Sequence, residues 1–188
     1  MIWAAIMAGL TAGLVHVLLA PDHLAAVAPF AIGKRARGWH PGLQWGLGHC
    51  AGVLLMGSLA FMFKDLVPMD LISSSAEKLV GVLLIGIGAW GICKSFAYRK
   101  AELAKAPLAL GAVHGLAGSS HLLGVIPGLL FPGPGAVCAY LVAFGAGTII
   151  AIVLFSLGLG ALPNRIHRTA IIGSSAFAVV IGGYWLIA

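Results

Sequence analysis

The chain has 188 residues, 61% apolar and only 9% charged, with a mean hydropathy of +1.06 and a formal net charge of +6. A soluble domain carries about a quarter charged residues, so the composition excludes one and points to a single integral membrane domain with no room for a soluble enzyme. The positive charge falls in short loops between apolar runs, which makes the lipid bilayer the implied partner rather than nucleic acid.

Six apolar runs follow one another, over 3–32, 42–63, 77–96, 107–131, 136–162 and 169–188. Most match the ~20 residues that cross a hydrocarbon core of ~30 Å. The first lacks the basic leader of a signal peptide and is interrupted by His16, Asp22 and His23, so it reads as a retained helix. It is also too long to stand straight, at about 45 Å for 1.5 Å per residue. Pro21 and Pro29 should therefore kink, break or tilt it. The second run carries Trp45-Gly-Leu-Gly-His49 and the third Gly88-Ala-Trp90. The fourth carries His114 and His121 and ends at Pro132-Gly133-Pro134-Gly135, a tight turn. Cys50, Cys93 and Cys138 are far apart and form no C-x-x-C pair, so they read as small buried apolar residues.

Loop charges orient these spans. Lys34, Arg35 and Arg37 follow the first; Lys94, Arg99, Lys100 and Lys105 the third; Arg165 and Arg168 the fifth. The other side has Lys64 and Lys78, offset by Asp65, Asp70 and Glu77. The positive-inside rule then puts both termini outside the cytoplasm, in a multi-pass protein of the cytoplasmic (inner) membrane. His40 and His167 lie in basic loops and are read as solvated.

The chain repeats itself. Residues 13–29 align without gaps on 111–127 with eight identities in 17 positions, including both members of each His-x6-His pair. Trp45-Gly-Leu-Gly-His49 corresponds to Phe144-Gly-Ala-Gly-Thr148, and Gly88-Ala-Trp90 to Gly183-Tyr-Trp185. The expected fold is all-α, six transmembrane helices as two three-helix repeats over 1–100 and 101–188. Three spans per half invert the second copy, as in secondary transporters whose sites lie near the midplane between halves.

Imidazoles within a bilayer are costly unless they pair, line a cavity or bind something. Residues seven apart share a helix face but stand about 10.5 Å apart. His16 with His23, and His114 with His121, therefore share one ion only if the helix breaks near Pro21 or Gly118-Ser119-Ser120; otherwise they are successive stations. Asp22 is the only acidic residue in the interior of a predicted span, and Ser120 replaces it in the second half. One carboxylate among neutral imidazoles suits nickel, cobalt, copper, zinc or iron rather than magnesium or calcium. Neutral histidines also allow exchange of metal for protons. The candidate metal ligands are His16, Asp22, His23, His49, His114 and His121, with Gly46, Gly48 and Gly52 admitting a neighbouring backbone beside His49.

From His16 to Val27 the sequence resembles the nickel/cobalt transporter families, and most closely their short UreH-like and HupE-like relatives in the LysE-type superfamily. The His49 and His114–His121 segments extend the resemblance over nearly the whole chain. It implies a carrier, driven by protons or membrane potential, whose cargo is Ni2+ or Co2+, with no tightly bound cofactor. The nickel/cobalt permease signature has four residues between His and Asp-His; here there are five. Three other readings stand beside it: a LysE-type exporter of another solute, a bis-histidine haem protein, and an accessory membrane protein without transport activity. Gly9-x3-Gly13 and Gly48-x3-Gly52 permit close helix contacts, within one chain or in a homo-oligomer.

Overall fold

The first apolar run is not one helix. In the computed structural model, which describes residues 1–63, 69–96, 106–117, 124, 125, 127, 128 and 130–187, it divides at Ala20 into α1 (Ile2–Leu19) and α2 (Pro21–Ala31). Ala20 is extended, with φ −103° and ψ 91°, and Pro21 opens the next helix. A proline at the first helical position has no N–H to lose and a φ already set for the helix. Pro21 therefore breaks the run and restarts it, while Pro29 is accommodated inside α2.

Five more α-helices complete the described residues: α3 (Trp39–Phe63), α4 (Met69–Phe96), α5 (Ala106–Leu116), α6 (Pro134–Gly160) and α7 (His167–Ile187). Short 3-10 turns precede α3 and α7, at Arg35–Arg37 and Asn164–Ile166. There is no strand among the described residues. Helix α4 starts well before the expected residue 77, because Ser74 and Ser75 are exposed on it and an exposed serine costs a helix little. The expected fourth span begins as α5, which ends at Leu116. His121, Ser119 and Ser120 lie outside the described residues, as do Lys64, Asp65, Arg99, Lys100 and Lys105. Gly133, with φ +87°, makes the expected turn, and Pro134 starts α6.

Helix α1, helix α6 and the helical segment Asn164–Ile187 are each long and apolar enough to cross a membrane. Large apolar side chains such as Leu19, Val142, Leu154, Val180 and Ile187 face outward, as a lipid solvent requires. The protein is an all-helical membrane protein.

Glycines set the packing. Helix α1 lies against α6, where a Cβ at Gly9 or Gly13 would overlap the carbonyl groups of Tyr140 or Phe144, and one at Gly147 that of Leu10. Helix α5 lies against α3 in the same manner. A Cβ at Gly111 or Gly115 would strike the carbonyls of Trp45 or His49, and one at Gly48 or Gly52 those of Leu108 or Ala112. Helices α4 and α7 meet through Gly81 and Gly182, and through Gly88 against Ser175. Gly9, Gly13, Gly48 and Gly52 are thus spent on contacts within the chain. Small residues at such crossings let backbones approach where lipid supplies no hydrophobic drive.

The ends of α2, α4 and α6 gather on one face. Arg35 Nη2 donates to Asn164 Oδ1 at 3.1 Å, and the Arg168 guanidinium lies 4.9 Å from the centre of the Phe96 ring. His167, expected to be solvated, is instead part-buried, its Nε2 donating to the Leu162 carbonyl at 2.7 Å. The buried Ser156 hydroxyl on α6 donates to the Gly38 carbonyl. Ser156→Ala removes this bond, and an intramolecular hydrogen bond typically contributes about 0.5–1.5 kcal/mol. Thermal unfolding in detergent should show the loss, whereas Asn164→Ala at the exposed pair should change stability by less than about 0.5 kcal/mol.

Candidate metal centre

The break at Ala20 decides the geometry of the first histidine pair. It turns α2 so that His23 Nε2 comes within 3.1 Å of His16 Nε2, one imidazole donating to the other. On an uninterrupted helix the two would stand two turns apart. The fifth residue between His16 and Asp22-His23 falls in the stretch that includes this break.

Asp22 and His23 occupy the first turn of α2 and are both buried. A carboxylate is favoured at a helix N-terminus by the partial positive charge of the unpaired N–H groups. Both Asp22 oxygens are engaged: Oδ1 lies 3.3 Å from His23 Nδ1, and Oδ2 accepts from His114 Nε2 at 2.8 Å. This second bond ties the first repeat to α5 of the second.

His114 and His49 reach the same place by backbone contact. His114 stands between Gly111 and Gly115, and His49 between Gly48 and Gly52; each glycine lies against the other helix. Ring centres are 4.6 Å apart for His23 and His114, 4.8 Å for His23 and His49, and 5.9 Å for His16 and His49. His49 follows Trp39 by ten residues and His114 follows Ala106 by eight. At 1.5 Å per residue both sit roughly 12–15 Å along their helices.

Five of the six expected ligands therefore converge: His16, Asp22, His23, His49 and His114. The sixth, His121, lies outside the described residues. Their donor atoms fall into two sets, each within 4.8 Å: His16, His23 and His49, and Asp22, His23 and His114. Among the described residues, all other Asp, Glu and Cys side chains stand outside both sets.

Aromatic walls were not assigned from the sequence. Trp45, fully buried, stacks on His49 at 4.8 Å and 10°, and lies 4.9 Å from His23 and 5.4 Å from His114. Phe144 lies 5.5 Å from His16. The available signal was that Trp45 and Phe144 are counterparts in the repeat, each four residues before His49 or its counterpart Thr148. Thr148 is fully buried.

Fold and site together define a helical membrane protein with a buried cluster of histidines and one carboxylate. Its sequence is 34% identical over 183 residues to Chloroplast protein FOR GROWTH AND FERTILITY 2 of Arabidopsis thaliana, covering 85% of this chain and 49% of that protein. It is 32% identical over 189 residues to Chloroplast protein FOR GROWTH AND FERTILITY 1 of the same plant, covering 85% and 52%. The chain thus spans about half the length of these two relatives. It is 25% identical over 213 residues to Urease accessory protein UreH of Bacillus sp. (strain TB-90), covering 95% of this chain and 88% of that protein. No family model and no solved structure matches the chain.

Proposed function

We propose that the protein is a secondary transporter of divalent transition-metal ions, nickel or cobalt foremost, and not an enzyme. The observation that carries this is the convergence of four imidazoles and one carboxylate, contributed by α1, α2, α3 and α5. Nitrogen donors with a single carboxylate suit these metals, and the carboxylate offsets part of the charge of a dehydrated dication. The similarity to a protein named for urease accessory function agrees with metal handling.

Alternating access would proceed by rocking two inverted three-helix halves about this centre. Support for such halves lies in the reciprocity of the helix contacts. Gly13 meets Phe144 and Thr148 as Gly111 meets Trp45 and His49, and Gly147 meets Leu10 and Leu14 as Gly48 meets Leu108 and Ala112. Gly81–Gly182 and Gly88–Ser175 correspond in the same way if the α4/α7 alignment is shifted by one residue, placing Gly88 opposite Gly182 rather than Gly183. The face where Arg35, Asn164, Phe96 and Arg168 meet would be the cytoplasmic one, with both termini on the other side of an inner membrane.

A bis-histidine haem site fits poorly. Four imidazoles with Trp45 and Phe144 packed against them at 4.6–6.2 Å leave no slot for a macrocycle. The deciding experiment is metal flux in proteoliposomes, with nickel, cobalt, zinc and magnesium in competition and with or without a pH gradient. Saturable nickel or cobalt flux that magnesium fails to inhibit is expected, with stimulation by the gradient if protons are exchanged. Wild-type vesicles that carry no transition metal would refute transport and leave the accessory-protein reading.

A further inference from the structure

The five ligands do not point at one spot. Their donor atoms form two triads with one member in common, His23. One ring nitrogen of His23, Nε2, faces His16 at 3.1 Å; the other, Nδ1, faces Asp22 at 3.3 Å. The two nitrogens of an imidazole direct their lone pairs away from each other, so one His23 ring cannot bring both triads onto one ion. We propose that the centre holds two successive ion positions, one on either side of the His23 ring, and that His23 passes the metal between them. The inference rests on the transport reading above and specifies how its site works.

The two positions differ in chemistry and in access. His16, His23 and His49 offer three neutral nitrogens, and His16 is the only one of the five ligands that is partly exposed. Asp22, His23 and His114 offer two nitrogens and a carboxylate, all buried. Three donors around one ion at ~2.1 Å stand no more than about 4.2 Å apart, so each triad, now within 4.8 Å, needs only a small contraction to close. The neutral triad is the entry station, able to accept and release an ion. The acidic triad binds more tightly because its carboxylate balances part of the ionic charge. Neutral His23 offers a lone pair on one nitrogen and carries its proton on the other, so it serves one station at a time. Besides the metal–ligand bonds, only one N–H bond of His23 is exchanged: it breaks at the nitrogen being metallated and forms at the nitrogen being vacated, so the proton stays on the ring.

Cobalt(II) serves as the probe, because its visible spectrum reports the donor set. The full chain is purified in detergent and titrated against a competing chelator. His16→Gln/His49→Gln leaves the acidic triad whole and should bind the first Co2+ within about tenfold of wild type, whereas His23→Gln, which damages both triads, should lose more than about a hundredfold. Asp22→Asn/His114→Gln should still bind one Co2+, more weakly and with an all-nitrogen spectrum, and adding His16→Gln should remove it. A loss in His16→Gln/His49→Gln as large as that in His23→Gln would overturn the proposal, since a single five-ligand site predicts it. Should the double variant not elute as folded protein, His16→Gln alone carries the same expectation. In vesicles, His16→Gln/His49→Gln should bind but not transport; wild-type flux would take the neutral triad off the path and overturn the succession. Wild-type protein that binds in this pattern but carries no flux refutes transport alone and leaves the two positions standing.

Discussion

Gly111→Val should abolish recovery of folded protein, and Gly111→Ala should already lower its unfolding temperature sharply. A Cβ at Gly111 would overlap the Trp45 carbonyl and crowd the His49 backbone N–H. The obstacle is helix backbone, which cannot turn aside as a flexible side chain can, so α3 and α5 must separate. Overpacking typically costs 1–3 kcal/mol where side chains can rearrange; here about 3 kcal/mol or more is expected for the first methyl. Gly13→Val should act similarly at the α1–α6 crossing, against Phe144. Alanine at Gly86, Gly158 or Gly173 supplies the control, because a Cβ there meets nothing within 4 Å. Those variants should be neutral or gain about 0.5–1 kcal/mol from the lower chain entropy of alanine in a helix. Thermal unfolding followed by circular dichroism, with gel-filtration profiles, separates the two groups. Equal tolerance at Gly111 and Gly86 would mean that α3 and α5 do not pack backbone to backbone.

Much of this packing was legible because it follows from composition and spacing. The apolar runs placed the helices, and Gly48 and Gly52 beside His49 announced a close neighbour. Pro21 announced a break, since a proline in the interior of a helix removes a hydrogen bond and clashes with the preceding turn. What sequence could not supply was the outcome of the break. Whether His16 and His23 meet or stand apart depends on the backbone angles of Ala20, and alanine permits many. The identity of the helix against Gly48 was equally hidden, because a glycine states that something comes close but not what. Trp45 looked like any apolar helix residue; its place against three histidines comes from α2 and α5 arriving on the same side of α3. The close contacts between α4 and α7 run through Gly81 against Gly182 and Gly88 against Ser175, which the pairing of Trp90 with Trp185 in sequence does not announce.

Asp22→Asn should reduce transition-metal flux by more than about a hundredfold while leaving the fold intact. The substitution keeps the shape of the side chain and an oxygen able to accept from His114 Nε2, which now donates to Asp22 at 2.8 Å. What it removes is the single negative charge among the described metal ligands. Two unit charges 4 Å apart interact by about 4 kcal/mol at an effective dielectric of 20, and a dication doubles that figure. Even with half of it offset by desolvation, the remainder exceeds the ~2.7 kcal/mol that corresponds to a hundredfold. His23→Ala should be at least as damaging to flux, because it withdraws a donor from both triads. It should also cost stability by opening a space beneath Trp45 and His49, against which the His23 ring packs. Flux of nickel or cobalt into vesicles, normalised to inserted protein, measures both variants, and circular dichroism shows whether each remains folded. A folded Asp22→Asn protein that carries metal at the wild-type rate would show that the carboxylate serves to fasten α2 to α5 and takes no part in holding the ion.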